Sequence, residues 1–554
     1  MANNLFRTGI KEENKILSFL HKHVITIIII VVIAAAAIAT TMIVKDRIDN
    51  ENHIEGVTYE KTSTLRFAMT RVDTLNPLIS TNEDVANIAR LVYDGMFDLD
   101  GGLNVVPVLV STYDADSSGG TVSIKLKKNV KFHSGDKLTA NDVKFTVDTI
   151  KYIGSKGPYY DYASKIAYVD VNGDRSLVIH FYNSADAALD NLVFPIVSSR
   201  QYSSVSEFAN TTSYKPMGTG KYKYRSYNYL SHLKLSPYKD YFGDAASNSI
   251  RFVILPSKTH VTDLMTMDDI TAALIKDDNI GSIAEDKHLR THRVLSNEAE
   301  YMGFNFNNRY LANVKMRQAI ARAIDLSIMM DDVYARKGVI NDSIFYPGFL
   351  GSTNGGDPYP YDLASAMKTL EDLGYKDINE DGFVEDEYGN EIVLRILVNS
   401  NNITRCEAAG KIEDSLKYIG LNVQIDEQPK DTYQYMLNRR DFDIYLGGCK
   451  IEKRYNLKDL LGYGNKLNYN SDEVVNYLNK LETAMDRNDY SSTFSKLKEE
   501  LIDDIPYYCL YYKNYSLTSV ATFRLESAPT FFDPYRYCDT WEWERVVEPE
   551  DNEE

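Results

Sequence analysis

Residues Val24 to Val44 read VITIIIIVVIAAAAIATTMIV, with no charged residue and only Thr26, Thr40 and Thr41 polar. As a helix this run spans about 31 Å, close to the hydrocarbon thickness of a bilayer. Arg7, Lys11, Lys15 and Lys22 precede it, and that basic excess keeps the N-terminus in the cytoplasm and everything after Lys45 outside. A cleaved signal peptide is the competing reading, because Ala37-Ile38-Ala39 offers an A-x-A site. Thr40 to Val44 continue apolar where a polar exit is expected, which favours a retained single-pass anchor. No N-terminal thiol is present for a lipid, since the first cysteine is Cys406. On either reading the body is extracytoplasmic.

The remaining residues, about 500, exceed what one hydrophobic core usually supports, so two or three lobes are expected. The net charge of −18 argues against nucleic acid and against an anionic lipid surface. It suits a cationic or zwitterionic partner, and equally plain solubility. Four cysteines (Cys406, Cys449, Cys509, Cys538) are too few to hold such a body together, and their pairing is left open. The 41 tyrosines supply apolar area with a neutral hydrogen-bonding tip, suited to half-buried surface or to a polar cleft.

After a charged stalk, Thr64 to Met69 has the pattern of a strand, and Asp73-Thr74-Leu75-Asn76-Pro77 turns the chain. Residues 84–97 place Val85, Ile88, Leu91, Val92 and Met96 on one helical face, with Asp84 as a plausible N-cap. Val122, Ile124 and Leu126 alternate with polar residues as in a half-buried strand. Thr139 then caps a helix with Asp142 three residues on and Val143, Val147 and Ile150 inside. Asn313 can cap a helix burying Met316, Ile320, Ala323 and Ile324; Asp325 can cap the next, with Ile328, Met329 and Val333 inside.

The stretch TVSIKLKKNVKFHSGDKLTANDVKFTVDTI (121–150) resembles the signature of the family-5 extracellular solute-binding proteins, the peptide and nickel receptors of ABC importers. Thr74 to Pro77 with Tyr93-Asp94-Gly95-Met96, Met217 to Tyr222, and Gly303 to Asn308 continue the resemblance in order. Val314 to Asp325, Tyr361 to Tyr375, Gly420 to Val423 and Phe442-Asp443-Ile444 complete it. It implies an α/β, periplasmic-binding-protein-like class II fold: lobes with mixed sheets around a ligand cleft, here behind one N-terminal transmembrane helix. The expected division is a cytoplasmic tail 1–23, anchor 24–44, stalk 45–61 and first lobe 62–103. An inserted lobe 104–212 follows, then more of the first lobe 213–303, a third lobe 304–507, a return 508–545 and an acidic tail 546–554. The returning strand would be Pro506 to Leu517, and the crossing into the third lobe is expected near Asn305 to Asn308.

The resemblance also implies a ligand site. Peptide-binding members hold the ligand main chain as an added strand. One wall corresponds to Thr81, Asn82 and Glu83, the other to Gly447, Gly448, Cys449, Lys450, Ile451 and Glu452. Where oligopeptide-binding members carry Gly-Trp and, three residues on, an aspartate that pairs with the ligand's α-ammonium, this chain has Gly448-Cys449 and Glu452. Glu452 can serve the same pairing, while the cysteine removes a large wall; a surface carboxylate beside Lys450 and Lys453 is the plainer reading.

Other chemistry is thin. Asp377 to Gly382 matches half of an EF-hand calcium loop, but Tyr388 stands where the bidentate glutamate belongs, and Asx residues before a glycine also make an ordinary solvated turn. His288 and His292 have i, i+4 spacing without the HExxH pattern, and every histidine lies at or before 292, so none can come from the third lobe. No G-x-S-x-G elbow or P-loop is present; Gly218-Thr219-Gly220-Lys221 lacks the upstream glycine. No metal, cofactor or catalytic group is therefore expected. The expected function is capture of a peptide or similar small polar solute for ABC permease and ATPase subunits, with a membrane-anchored sensor and, more remotely, a hydrolase as alternatives. Cells extracted without detergent are expected to retain the full-length protein in the membrane fraction, with added protease removing the body. A soluble form beginning at Thr40 would show cleavage instead.

Overall fold

Two long strands organise the body. In the computed structural model, which describes residues 58–547 apart from 117–119, 184–188, 212, 260, 268, 277–287, 352–355, 452–456 and 484–486, Leu289–Phe304 and Tyr507–Val520 pair antiparallel from Leu289↔Val520 to Gly303↔Tyr507. They are neighbours in a seven-stranded mixed sheet in the order Ala272–Ile275, Tyr507–Val520, Leu289–Phe304, Ile444–Lys450, Val393–Asn399, Asn422–Gln428, with Gly338–Val339 also on Tyr507–Val520. Val393–Asn399 runs parallel to both of its neighbours. Tyr507 to Tyr512 are buried in succession, as a central strand covered on both faces requires. Along the same strand Tyr508 and Leu510 enter a core with Ile320, Ile396 and Ile444, while Tyr507 and Cys509 enter another with Phe345, Leu461 and Phe494. At the far end Leu289, Val294, Leu517 and Val520 join a third core with Phe67, Val92 and Phe252.

Two four-stranded sheets complete that third core. Thr64–Thr70 lies parallel to Ser249–Leu255, which continues antiparallel to His232–Pro237 and Tyr222–Asn228. Val110–Asp116, Thr121–Leu126, Ser176–Phe181 and Ile166–Val171 form an antiparallel sheet in that order. The helix Ala140–Ile153 packs on the latter with Val143, Val147 and Ile150 buried, and Thr139 closes its start by donating from N and Oγ1 to Asp142 Oδ2, each at 2.8 Å.

Several expectations change in detail. The cap of Glu83–Val92 is Asn82, accepting from Asp84 N at 2.8 Å, because the Asp84 carboxylate is buried and accepts from Thr70 N and Oγ1 at 2.8 and 2.9 Å. Asp325 does cap Leu326–Asp332, but Leu326, Met329 and Met330 are its buried residues, Val333 is half-buried and Ile328 is 53% exposed. His288 and His292 share no helix: His292 lies on the strand Leu289–Phe304, where four residues separate two side chains by about 13 Å. Among the described residues no helix is long and apolar enough to cross a membrane, and the anchor expected at 24–44 lies outside them.

The Gly-Thr-Gly motif is a packing device. A Cβ on Gly218 would stand 2.1 Å from Val92 O, and one on Gly220 2.6 Å from Leu91 O. This close approach lets Gly220 N donate to Val92 O at 2.9 Å. The buried ring of His133 is clamped by the same turn: Gly218 N donates to Nδ1 at 3.3 Å, so Nε2 carries the proton and donates to Gly220 O at 2.9 Å. Burial pulls its pKa down to about 4. A depressed folded-state value means that the stability it confers is complete above the unfolded value, about 6.5, and is lost as pH falls toward 4. Urea denaturation is expected to show about 3 kcal/mol lost through this group over that window, with the pH slope correspondingly shallower in His133→Gln.

Candidate functional site

The second expected wall lies beside the irregular part of the long strand pair. Pairing of Leu289–Phe304 with Tyr507–Val520 shifts register between Leu295 and Ala299 and again between Glu300 and Tyr301. A bulge of this kind bends a strand and re-aims its side chains. On the other edge of Leu289–Phe304 the predicted wall Gly448-Cys449-Lys450 lies directly opposite Glu300, Ala299 and Glu298.

Glu298 and Glu300, two apart on a strand, project from one face. Glu298 Oε1 pairs with Lys450 Nζ at 2.8 Å and accepts from Tyr515 Oη at 2.9 Å, and Oε2 lies 3.8 Å from Lys513 Nζ. Burial would raise this carboxyl, but Lys450, Tyr515 and Lys513 together hold it below the usual carboxylate range. Glu300 receives a two-pronged contact from Arg405, Nε to Oε2 at 2.7 Å and Nη2 to Oε1 at 2.9 Å, while Nη1 donates to Asn399 Oδ1 at 3.0 Å. Burial draws the Glu300 carboxyl upward against Arg405; on the guanidinium burial is outweighed by Glu300, which raises it. Asn402 places Arg405 by capping Ile403–Tyr418, accepting from Arg405 N at 3.1 Å. Glu300, Arg405, Asn402, Tyr334, Tyr511 and Lys513 line a small polar cavity beside this pair.

The first wall reaches the same place. Thr81 is exposed just before the cap residue Asn82, and Glu83, exposed in the first helical turn, pairs with Lys276. Lys276 Nζ stands 5.9 Å from the centre of the Tyr515 ring, whose hydroxyl holds Glu298. A continuous relay thus joins Glu83 to Lys450.

Gly448 is required by the ion pair, since a Cβ there would meet Arg405 Nη2 at 2.6 Å and Glu300 Oε1 at 2.7 Å. Cys449 is half-buried, and burial followed by the Glu300 charge pushes its thiol up to about 12, so it is an inert apolar side chain rather than a nucleophile. All four cysteines are free. Ile451 is fixed by Asn297, which accepts its N–H at the backbone (2.8 Å) and donates from Nδ2 to its carbonyl (2.7 Å). Glu452, the next residue, lies outside the described residues. Glu298, Glu300, Arg405, Lys513 and Tyr515 were not expected; the available signal was the alternation Glu298-Ala299-Glu300-Tyr301 leading into Gly303-Phe304.

A mixed sheet carries the two long strands, and charged residues of both signs gather beside their irregular pairing. The model of the bacterial extracellular solute-binding proteins, family 5, matches residues 104–451, and the chain belongs to this family. It is 25% identical over 467 residues to the oligopeptide-binding protein AppA of Bacillus subtilis (strain 168), covering 79% of this chain and 84% of that protein. Its fold is similar to that of an ABC transporter substrate-binding protein from Sinorhizobium meliloti, with a TM-score of 0.72 and 17% identity over 88% of this chain and 100% of that one. It is similar too to a nickel ABC transporter structure from Bacillus halodurans, with a TM-score of 0.71 and 16% identity over 87% and 100%.

Removing Arg405 leaves a largely buried carboxylate without its cation. Arg405→Met is expected to lower stability in urea by about 2–4 kcal/mol, and Glu300→Gln in the same chain to recover most of that loss.

Proposed function

We propose that this protein captures a peptide, or a similar small zwitterionic solute, outside the cell and delivers it to the permease of an ABC importer, whose ATPase subunits drive uptake. The observation that carries this reading is the set of carboxylates and cations gathered around Glu298 and Glu300 of Leu289–Phe304, with Lys450 on one neighbouring strand, Lys513 on the other and Arg405 on the helix Ile403–Tyr418. Each cation there already faces a carboxylate, so the site offers both signs with little net charge, as the two ends of a peptide require. The main chain of the ligand would add beside Gly448 to Lys450, with Thr81, Asn82 and Glu83 on the opposing wall. Glu452 and Glu298 would take the α-ammonium. Closure would turn on the irregular pairing at Leu295 to Tyr301, and the ligand shifts that equilibrium by binding the closed form more tightly. Residues 24–44 would keep the receptor at the membrane beside its permease, with the tail 1–23 in the cytoplasm.

Calorimetric titration with peptides of two to five residues, free and N-acetylated, tests the reading. Free peptides are expected to bind and their acetylated forms to bind poorly. Glu298→Gln and Glu452→Gln are each expected to weaken binding of the free peptide by about 2–4 kcal/mol, roughly 30- to 1000-fold. Binding of sugars or nickel chelates with no response to any peptide would replace this substrate class.

A further inference from the structure

The loop Asp377 to Glu385 lies on the third lobe, away from the site above, and half of it matches a calcium-loop pattern that breaks off at Tyr388. The fold completes it differently. A two-residue bridge closes the loop, with Glu385 N donating to Lys376 O at 2.9 Å and Lys376 N to Glu385 O at 3.2 Å. Inside it Glu380 and Gly382 take positive φ, at 64° and 96°. Gly382 N donates to Asp377 Oδ2 at 2.9 Å, Asp381 N to Asn379 Oδ1 at 2.9 Å, and Phe383 N to Asp381 Oδ1 at 2.9 Å. This wraps Asp377 and Asp381 toward one another.

Glu385 supplies the second observation. It is only 3% exposed; its Oε2 accepts from Ile378 N at 2.7 Å, while its Oε1 is buried with no hydrogen-bond partner. One carboxylate oxygen from each of Asp377, Asp381 and Glu385 lies within 4.8 Å of the others. Two oxygens on one calcium, each at about 2.3–2.6 Å, can be no more than about 5 Å apart, so the three meet the geometric condition for a shared ion. Among the described residues no basic side chain pairs with any of them. A buried carboxylate oxygen without a partner is costly, and three carboxylates converging without a cation repel one another. Tyr388, at the position where the bidentate glutamate was looked for, is 75% exposed and takes no part.

We propose that Asp377, Asp381 and Glu385 bind a calcium ion, with Asn379 at the same loop available as a further oxygen ligand. Glu385 acts from the ninth position of the loop in place of the absent twelfth-position glutamate. The ion fixes the loop against the third lobe, to which it is tied by Val384 N donating to Gly420 O at 2.8 Å. With three carboxylates and water completing the shell, the affinity belongs to the weak range of extracellular modules, Kd about 10⁻⁴–10⁻³ M.

The full-length protein, dialysed against chelator and then titrated with CaCl₂ or MgCl₂, tests this by melting temperature and by terbium luminescence. Calcium at about 10 mM is expected to raise the Tm by about 2–5 °C, with magnesium far less effective. Asp377→Asn combined with Asp381→Asn, both exposed, is expected to abolish the calcium shift and the terbium signal while leaving the chelated Tm within about 1 °C of the parent. An unchanged calcium shift in that double variant would place the ion elsewhere on this acidic surface and overturn the proposal. So would a parent protein that fails to respond to millimolar calcium by either readout.

Discussion

The pairing of Leu289–Phe304 with Tyr507–Val520 is the interaction on which the body depends. Its residues contribute to all three cores, so this one pairing ties them together. The residues of Tyr507–Val520 come from near the C-terminal end of the chain, and their long sequence separation from Leu289–Phe304 makes this a contact formed against a large loop-closure cost. What offsets that cost is burial: Tyr507 to Tyr512 are buried in succession, and Met302 and Phe304 are wholly enclosed opposite them. The register shifts at Leu295 to Tyr301 interrupt the ladder beside Ala299 and Tyr301, which are themselves buried in one of those cores.

The charges at that interruption are partly buried, and this gives them weight that surface pairs lack. Arg405 meets Glu300 in a forked geometry, over a glycine that leaves room for it. The tyrosines around them stay neutral. Burial holds the hydroxyls of Tyr301, Tyr445 and Tyr507 far above their ordinary range, so they contribute apolar area and hydrogen bonds without adding charge. An acidic protein thereby presents at this place a nearly balanced set of charges, and its large negative total says little about what it holds there.

Local devices were legible in the sequence because they depend on neighbours within a few residues. Thr139 with Asp142, Asn313 and Asp325 start helices as their spacing indicates, and Val122 to Leu126 alternates as a half-buried strand does. The family could be read from motifs in order for the same reason, each being a short local segment. Asp84 was misread as a cap because its true partners, Thr70 and Lys258, are distant in the chain.

Sequence alone determined the α/β class, the family, and the apolar run at 24–44, all properties of periodicity and short motifs. Only the tertiary structure decided what those segments face. No reading of the sequence places Arg405 and Glu300 across Gly448, and Glu385 reads as a surface acid until the Lys376 bridge buries it. Side chains two apart on a strand share a face whatever the fold, but which cation or carboxylate is brought opposite depends on strand order and register. Those are set by the burial of whole cores, and no window of sequence contains them.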